Sequence, residues 1–335
     1  MIQQAIAGLV ERKDLARAEM AAVVTEIADG GATPAQVGAF LAALRLKGET
    51  VDEIAGAAEV MRARADRVRV DREVFVDTCG TGGDGQNTFN ISTTAAFAVA
   101  GAGVTVAKHG NRSVSSRCGS ADVLAALGVD VDASKEVVER CIADVGIGFL
   151  FAPRLHPAFK AVAGLRRELA IRTIFNLLGP LANPAGARHQ VMGVYEARWV
   201  PVIGGVLAAL GSVRAFVVHG EGLDEIAVTG TTHVAEVRDG AVARYTLTPE
   251  ELGVSRWPAS AIAGGDAAHN ARVTRDVLAG QAGGPRDAVL ANAAAALVAA
   301  GAAPDLRAGV RLAAGAIDRG AAREKLELLV AASRA

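Results

Sequence analysis

Four glycines crowd the seven residues Cys79-Gly80-Thr81-Gly82-Gly83-Asp84-Gly85, which follow the short run Val74-Phe75-Val76-Asp77. Such a stretch builds no core, because glycine has no side chain to pack. It does let backbone N–H groups approach an anion closely. Asn90-Ile91-Ser92-Thr93-Thr94 follows, placing capping residues ahead of the apolar, helix-like run 95–102. A helix N-terminus carries free N–H groups and the positive end of the helix dipole. The expectation is therefore a strand, a glycine loop and a helix start that bind phosphate or diphosphate between residues 79 and 94. Taken alone, the glycines fit a tight strand-to-helix turn without a ligand equally well.

The same rhythm repeats along the chain. Strand-like runs at 74–77, 104–107, Ile147–Phe151, 190–195 and 213–219 alternate with helices that start near Ser92, Ser120, Ser134, Pro157 and Trp199. Alternation of this kind predicts an α/β fold with a mostly parallel sheet. Thr232–Arg238 and Ala241–Leu247 flank Asp239-Gly240, a two-residue hairpin signal. Ala-rich helices are expected near 286–301, 305–318 and 320–333. Before residue 68 the chain reads as all helix. Thr33-Pro34-Ala35-Gln36 and Thr50-Val51-Asp52-Glu53 each pair a threonine cap with Gln or Glu three residues on. The basic run 62–69 reads as a solvated linker.

Composition narrows the function class. In 335 residues, half apolar, the net charge is −1, which gives no electrostatic case for nucleic acid or an anionic membrane. The three cysteines, Cys79, Cys118 and Cys141, lack CxxC spacing and fit a reducing cytosol better than a disulfide framework or structural zinc. The first residues show no basic-then-apolar signal pattern, and the apolar stretch 291–303 falls short of a membrane span. A cytoplasmic enzyme is expected.

Two further stretches carry chemistry. Lys108-His109-Gly110-Asn111-Arg112-Ser113-Val114-Ser115-Ser116 follows the strand run 104–107, so it falls at a strand's carboxyl end, where open α/β sheets bind ligands. His219-Gly220-Glu221-Gly222-Leu223-Asp224-Glu225 follows the run 213–218. Adjacent carboxylates beside a phosphate site suggest Mg²⁺, an oxygen-seeking ion commonly held by one or two carboxylates plus substrate phosphates. Between them lie Arg154-Leu155-His156-Pro157, Leu165-Arg166-Arg167-Glu168-Leu169 and the segment from Arg172 to Pro184. A partly buried arginine here could grip a carboxylate bidentately or serve a structural ion pair.

Gly80-Thr81-Gly82-Gly83-Asp84, Asn90-Ile91-Ser92-Thr93, Lys108-His109-Gly110-Asn111, the segment 172–184 and Leu223-Asp224-Glu225 resemble the anthranilate phosphoribosyltransferase family in order and spacing. The resemblance spans essentially the whole chain. It implies a small all-helical N-terminal domain, residues 1–70 joined by helices from about 165–185. A large α/β domain, residues 71–335, would carry the mostly parallel central sheet. It also implies a homodimer formed through the helical part. The implied reaction joins anthranilate to 5-phospho-α-D-ribose 1-diphosphate (PRPP) with release of diphosphate. By resemblance, Gly80, Gly83, Asp84, Thr88, Asn90, Ile91, Ser92, Thr93, Lys108 to Ser116 and Ser120 contact PRPP. Ser92, Asp224 and Glu225 hold Mg²⁺. Gly80, Asn111, Arg166, His109 and His156 contact or line the site of anthranilate. The amine of anthranilate is neutral at pH 7, so no general base is required and none is assigned. Two other readings remain, a pyrimidine nucleoside phosphorylase and a nucleic-acid-binding relative of the same fold. The first would not need the Asp224-Glu225 pair, and the second would want a basic groove.

Overall fold

The computed structural model describes residues 1–113 and 117–335. Four helices open the chain, Ile2–Val10, Arg17–Ala28, Pro34–Lys47 and Val51–Ala63. Both expected capping boxes form. Thr33 Oγ1 accepts from the Gln36 N–H at 3.3 Å, and Thr50 Oγ1 accepts from the Glu53 N–H at 3.3 Å. Glu53 does more than cap: fully buried, it also accepts from the Leu15 N–H at 2.9 Å and from Lys47 Nζ at 2.9 Å. It thereby pins the entry to the second helix.

Seven strands follow: β1 (Val76–Gly80), β2 (Val106–Gly110), β3 (Ile147–Phe151), β4 (His189–Gly193), β5 (Arg214–Gly220), β6 (Thr232–Arg238) and β7 (Ala241–Leu247). They form one sheet in the order β3-β2-β1-β4-β5-β6-β7. β1 to β5 are parallel, and β6 and β7 continue the sheet antiparallel. The hairpin turns on Asp239 (φ +50°) and Gly240 (φ +82°), both left-handed as a tight two-residue turn demands. The chain winds from β1 out to β3 and then returns to the other side of β1. The carboxyl ends of β1 and β4 thus flank a switch point, where a crevice opens in such sheets.

Strand alternation sorts the apolar residues into two cores. Val191, Phe216, Val218 and Val234 face one core, shared with the helices Ile91–Gly101 and Gly284–Ala299. Met192, Val217, Ala235 and Val237 face the other, where the helix Trp199–Ala209, the N-terminal helices and Phe175, Leu177, Leu178 and Leu181 pack together. The fold is a small N-terminal helical domain set against a larger α/β domain. Three details depart from expectation. β1 and β2 start two residues later than the apolar runs and extend to glycine, because pairing with β4 and β3 sets their ends. The helix Ala267–Leu278 is an addition to the expected elements. Arg62 is no mere solvated linker residue: it is half-buried and donates to the Leu181 carbonyl at 2.6 Å.

Candidate active site

The strands β1, β2, β4 and β5 all end on glycine, at Gly80, Gly110, Gly193 and Gly220. At all four the missing side chain is a steric demand, and at two of them the neighbour is Asp224. A Cβ on Gly80 would stand 2.3 Å from Asp224 Oδ2, and one on Gly193 would stand 1.5 Å from the Asp224 carbonyl oxygen. Gly80 and Gly193 are paired across β1 and β4, so together they form a notch occupied by Asp224.

Around that notch the residues expected to bind diphosphate come together. Asp224 Oδ2 accepts from the Gly82 N–H at 2.7 Å. Glu225 Oε1 accepts from the Ser92 N–H, in the first turn of Ile91–Gly101, at 3.1 Å. Asp84 Oδ2 sits 3.4 Å from the Asp224 nitrogen. Burial, reinforced by Asp84, pushes Asp224 up to about 7, and burial beside Asp224 pushes Glu225 up to about 8. Lys108, buried on β2, donates to the Thr78 carbonyl and lies 3.5 Å from Ser92 Oγ. Burial pulls its pKa down while Asp77 pulls it up. Among the described residues no three His, Cys, Asp or Glu side chains close around a point. Two half-buried carboxylates and the Ser92 hydroxyl form an open oxygen set short of positive charge. That donor set fits Mg²⁺, which completes its shell with water and substrate oxygens.

The second loop is held differently. Asn111 and Ser120 bond to each other, with Asn111 N–H donating to Ser120 Oγ at 3.2 Å and Ser120 Oγ donating to the Asn111 carbonyl at 3.1 Å. Arg112 is engaged with Asp122 at 3.1 Å and lies over the Phe151 ring. Asp122 also accepts from the N–H groups of Ser113 (3.1 Å) and Gly119 (2.9 Å). Val114, Ser115 and Ser116 lie outside the described residues. Asn90 bridges Cys118 and Asn270, while Ile91 and Thr93 point into the core and offer only backbone to a ligand. Thr88 forms an antiparallel bridge with Ala263.

The third group is unlike both. His109 Nδ1 donates to the Gly179 carbonyl at 3.1 Å, which leaves the lone pair on Nε2. That nitrogen and both ring nitrogens of His156 are buried without a partner among the described residues, and the two ring centroids are 5.2 Å apart. Burial holds His109 at about 3, with His156 adding to the effect, and holds His156 at about 4, so both are neutral at pH 7. The main chain of Ala182 pulls weakly the other way on His156 without bonding to it. Arg166, on the helix Lys160–Leu169, is half-buried with burial lowering its pKa; its Cζ lies 6.0 Å from the Phe175 ring, and it has no ion pair among the described residues. Arg172, by contrast, is paired with Glu196 and stacked on Tyr195, the structural alternative of the two that its sequence context left open.

The family model described as glycosyl transferase family, a/b domain, matches residues 72–323, and the helical bundle domain of the same family matches residues 3–65. An anthranilate phosphoribosyltransferase from Anaeromyxobacter sp. (strain K) is 80% identical over 333 residues, covering 99% of each chain. One from Citrifermentans bemidjiense is 56% identical over 346 residues, covering 99% of this chain and 98% of its own. Among solved structures, the Thermus thermophilus enzyme is 45% identical with a TM-score of 0.94 over 99% of both chains. The Saccharomyces cerevisiae enzyme in complex with PRPP and Mg is 28% identical with a TM-score of 0.88, over 99% of this chain and 98% of that one. The chain belongs to the anthranilate phosphoribosyltransferase family.

The stretches that resemble anthranilate phosphoribosyltransferases in sequence do meet in space, around β1, β2 and the notch. Several residues that hold them escape a reading of the sequence. Asp77, fully buried on β1, accepts from the His109 N–H at 3.1 Å and from Gln190 Nε2 at 3.3 Å. Its signal is an acid inside an apolar strand run. Gln190 offers no such signal, since Asp77 and Cys79 reach it from more than a hundred residues away, whereas Asp122 closes its own helix start with Gly119 three residues back.

Proposed function

We propose that this chain transfers the 5-phosphoribosyl group of PRPP to the amine of anthranilate, giving N-(5-phosphoribosyl)anthranilate and diphosphate, the second step of tryptophan biosynthesis. The observation that carries this reading is the half-buried Asp224–Glu225 pair facing the glycine loop beside Lys108. Breaking the anomeric C–O bond leaves positive charge on the ribose ring and negative charge on diphosphate. Lys108, the loop N–H groups and the first turn of Ile91–Gly101 stabilise the leaving group from positions fixed before reaction, a contribution of several kcal/mol. Asp224, Glu225 and Ser92 would hold Mg²⁺, which when bound supplies further positive charge to the diphosphate. The anthranilate nitrogen attacks with its own lone pair and loses its proton afterwards, once it has become cationic and acidic. His109, at about 3, is a poor base and serves to orient the amine. Arg166 receives the anthranilate carboxylate, an anion that answers its unpaired charge.

The PRPP contacts are assigned to Gly80 through Thr93 and Lys108 through Ser120 as named above, and Asn111, His109 and His156 line the anthranilate side. We further place the chain in the cytoplasm as a homodimer through its helical unit, residues 1–70 with helices from about 165–185, against an α/β unit of 71–335. Val10 and Leu46, 70% and 80% exposed on the helical unit, support an interface there. None of the cysteines is in a disulfide, and no helix among the described residues is long and apolar enough to cross a membrane. The test is turnover: protein with PRPP, anthranilate and Mg²⁺ should consume anthranilate fluorescence in a metal-dependent manner. Absence of turnover by folded protein overturns the reading.

A further inference from the structure

Arg172 stands where the two halves of the site are joined in sequence. It lies two residues beyond Ala170, whose left-handed backbone (φ +50°) ends the helix that carries Arg166. Its guanidinium makes three contacts, all with other segments. One Nη donates to the Gly83 carbonyl, the other pairs with Glu196 at 3.3 Å, and the carbon of the fork lies 4.3 Å from the Tyr195 ring centroid. Tyr195 in turn donates its N–H to Thr81 Oγ1 at 3.1 Å.

The glycine loop therefore has three fixed points. Thr81 is tied to Tyr195, the Gly82 N–H to Asp224, and the Gly83 carbonyl to Arg172. Gly82 and Gly83 are both left-handed, at φ +62° and +76°, with no side chains to hold that shape. A planar fork stacked on an aromatic ring is a rigid donor. Among the described residues, Arg172 makes the side-chain contact that reaches the loop from the stretch bearing Arg166.

Resting on the phosphoribosyl-transfer reading, we infer that Arg172 is a positioning residue that couples the two substrate sites. Diphosphate in the glycine loop fixes the Gly83 carbonyl. That carbonyl fixes Arg172, and Arg172 restrains the two-residue link 170–171 that ends the helix of Arg166. The carboxylate substrate then meets an arginine whose approach is already ordered, so less conformational entropy is lost on binding. Such coupling is reciprocal between the two ligands.

The experiment titrates anthranilate by fluorescence, with and without saturating diphosphate plus Mg²⁺, so that no turnover intervenes. In the unmodified protein, diphosphate should tighten anthranilate about fivefold or more, the low end of typical coupling. In Arg172→Ala that ratio should fall below about twofold, with diphosphate itself bound about tenfold more weakly. Arg172→Lys, which keeps a donor and loses the stacked fork, should fall between. The melting temperature should change little, because the Glu196 pair is exposed and such pairs contribute little to stability. A ratio unchanged in Arg172→Ala overturns the coupling, as does an active parent protein that shows no ratio at all, or a variant altered only in melting temperature. If the parent protein neither binds anthranilate nor consumes PRPP, the function reading fails. If it does both and the ratio survives the substitution, the coupling alone fails.

Discussion

Around β1 and β4 charged side chains meet main-chain donors or one another, while three ring nitrogens of His109 and His156 and the guanidinium of Arg166 are buried or half-buried without a hydrogen-bond or ion-pair partner among the described residues. On the first side the backbone does most of the work. Gly82, Ser92 and Asp224 are held at 2.7 to 3.1 Å before any ligand arrives, and the unmet demand is for net positive charge. On the second side the demand is for particular partners: an acceptor or donor at three ring nitrogens and an anion at one guanidinium. The difference separates two kinds of recognition. The proposed phosphate side, built on backbone geometry, would accept any correctly shaped polyanion that brings a metal. A side built on unpaired buried groups rejects a ligand that leaves them unpaired, because each such group carries a desolvation penalty.

The contrast breaks most readily at the carboxylates. Asp224→Asn with Glu225→Gln should lower kcat by about 10²–10³-fold, the scale of losing preorganised charge stabilisation. It should also abolish the rise in melting temperature that Mg²⁺ with diphosphate produces. A double variant that still responds to Mg²⁺ would place the metal elsewhere. Next in size, Arg166→Ala should weaken anthranilate by about 2–5 kcal/mol, at least thirtyfold in kcat/KM for anthranilate, with a far smaller change for PRPP. Equal effects on both substrates would erase the division between the two sides.

The smallest effect concerns acid. His156 is held near 4 in the folded protein against about 6.5 when unfolded, so the unfolded chain binds more protons below pH 6.5. The stability tied to the neutral ring is thus complete above pH 6.5 and drains away as pH falls towards 4. His156→Gln should remove up to about 1.4 kcal/mol per pH unit from the slope of stability in that window. Denaturant unfolding at pH 6.5 and 4.5 measures it, and identical slopes would mean that His156 is not buried as a neutral ring.

How much can be read in advance depends on how local the causes are. The β6–β7 hairpin is legible to the residue, because Asp239-Gly240 dictates its turn. The two capping boxes are legible for the same reason. The edges of β1 and β2 are not, since they are set by pairing with strands far away in sequence. Asp224, Glu225 and Lys108 stand out as charges beside glycine loops. The notch that seats Asp224 against Gly80 and the lone pair exposed on His109 depend on contacts across 70 to 144 residues. Helix Ala267–Leu278 has a local signal in Asp266, which caps it at 2.8 Å, but Gly264-Gly265 just before it disguises the start.

The notch formed by Gly80 and Gly193 also acts as a check on folding. If β1 slipped by one residue along β4, Gly80 would face Met192 or Val194, and every side chain of β1 would turn to the opposite face. Asp224 would then meet a side chain where it now meets none. A misregistered sheet could not seat the Asp224 carboxylate, so the proposed binding competence is withheld from the misfolded chain and granted only when the two central strands are aligned.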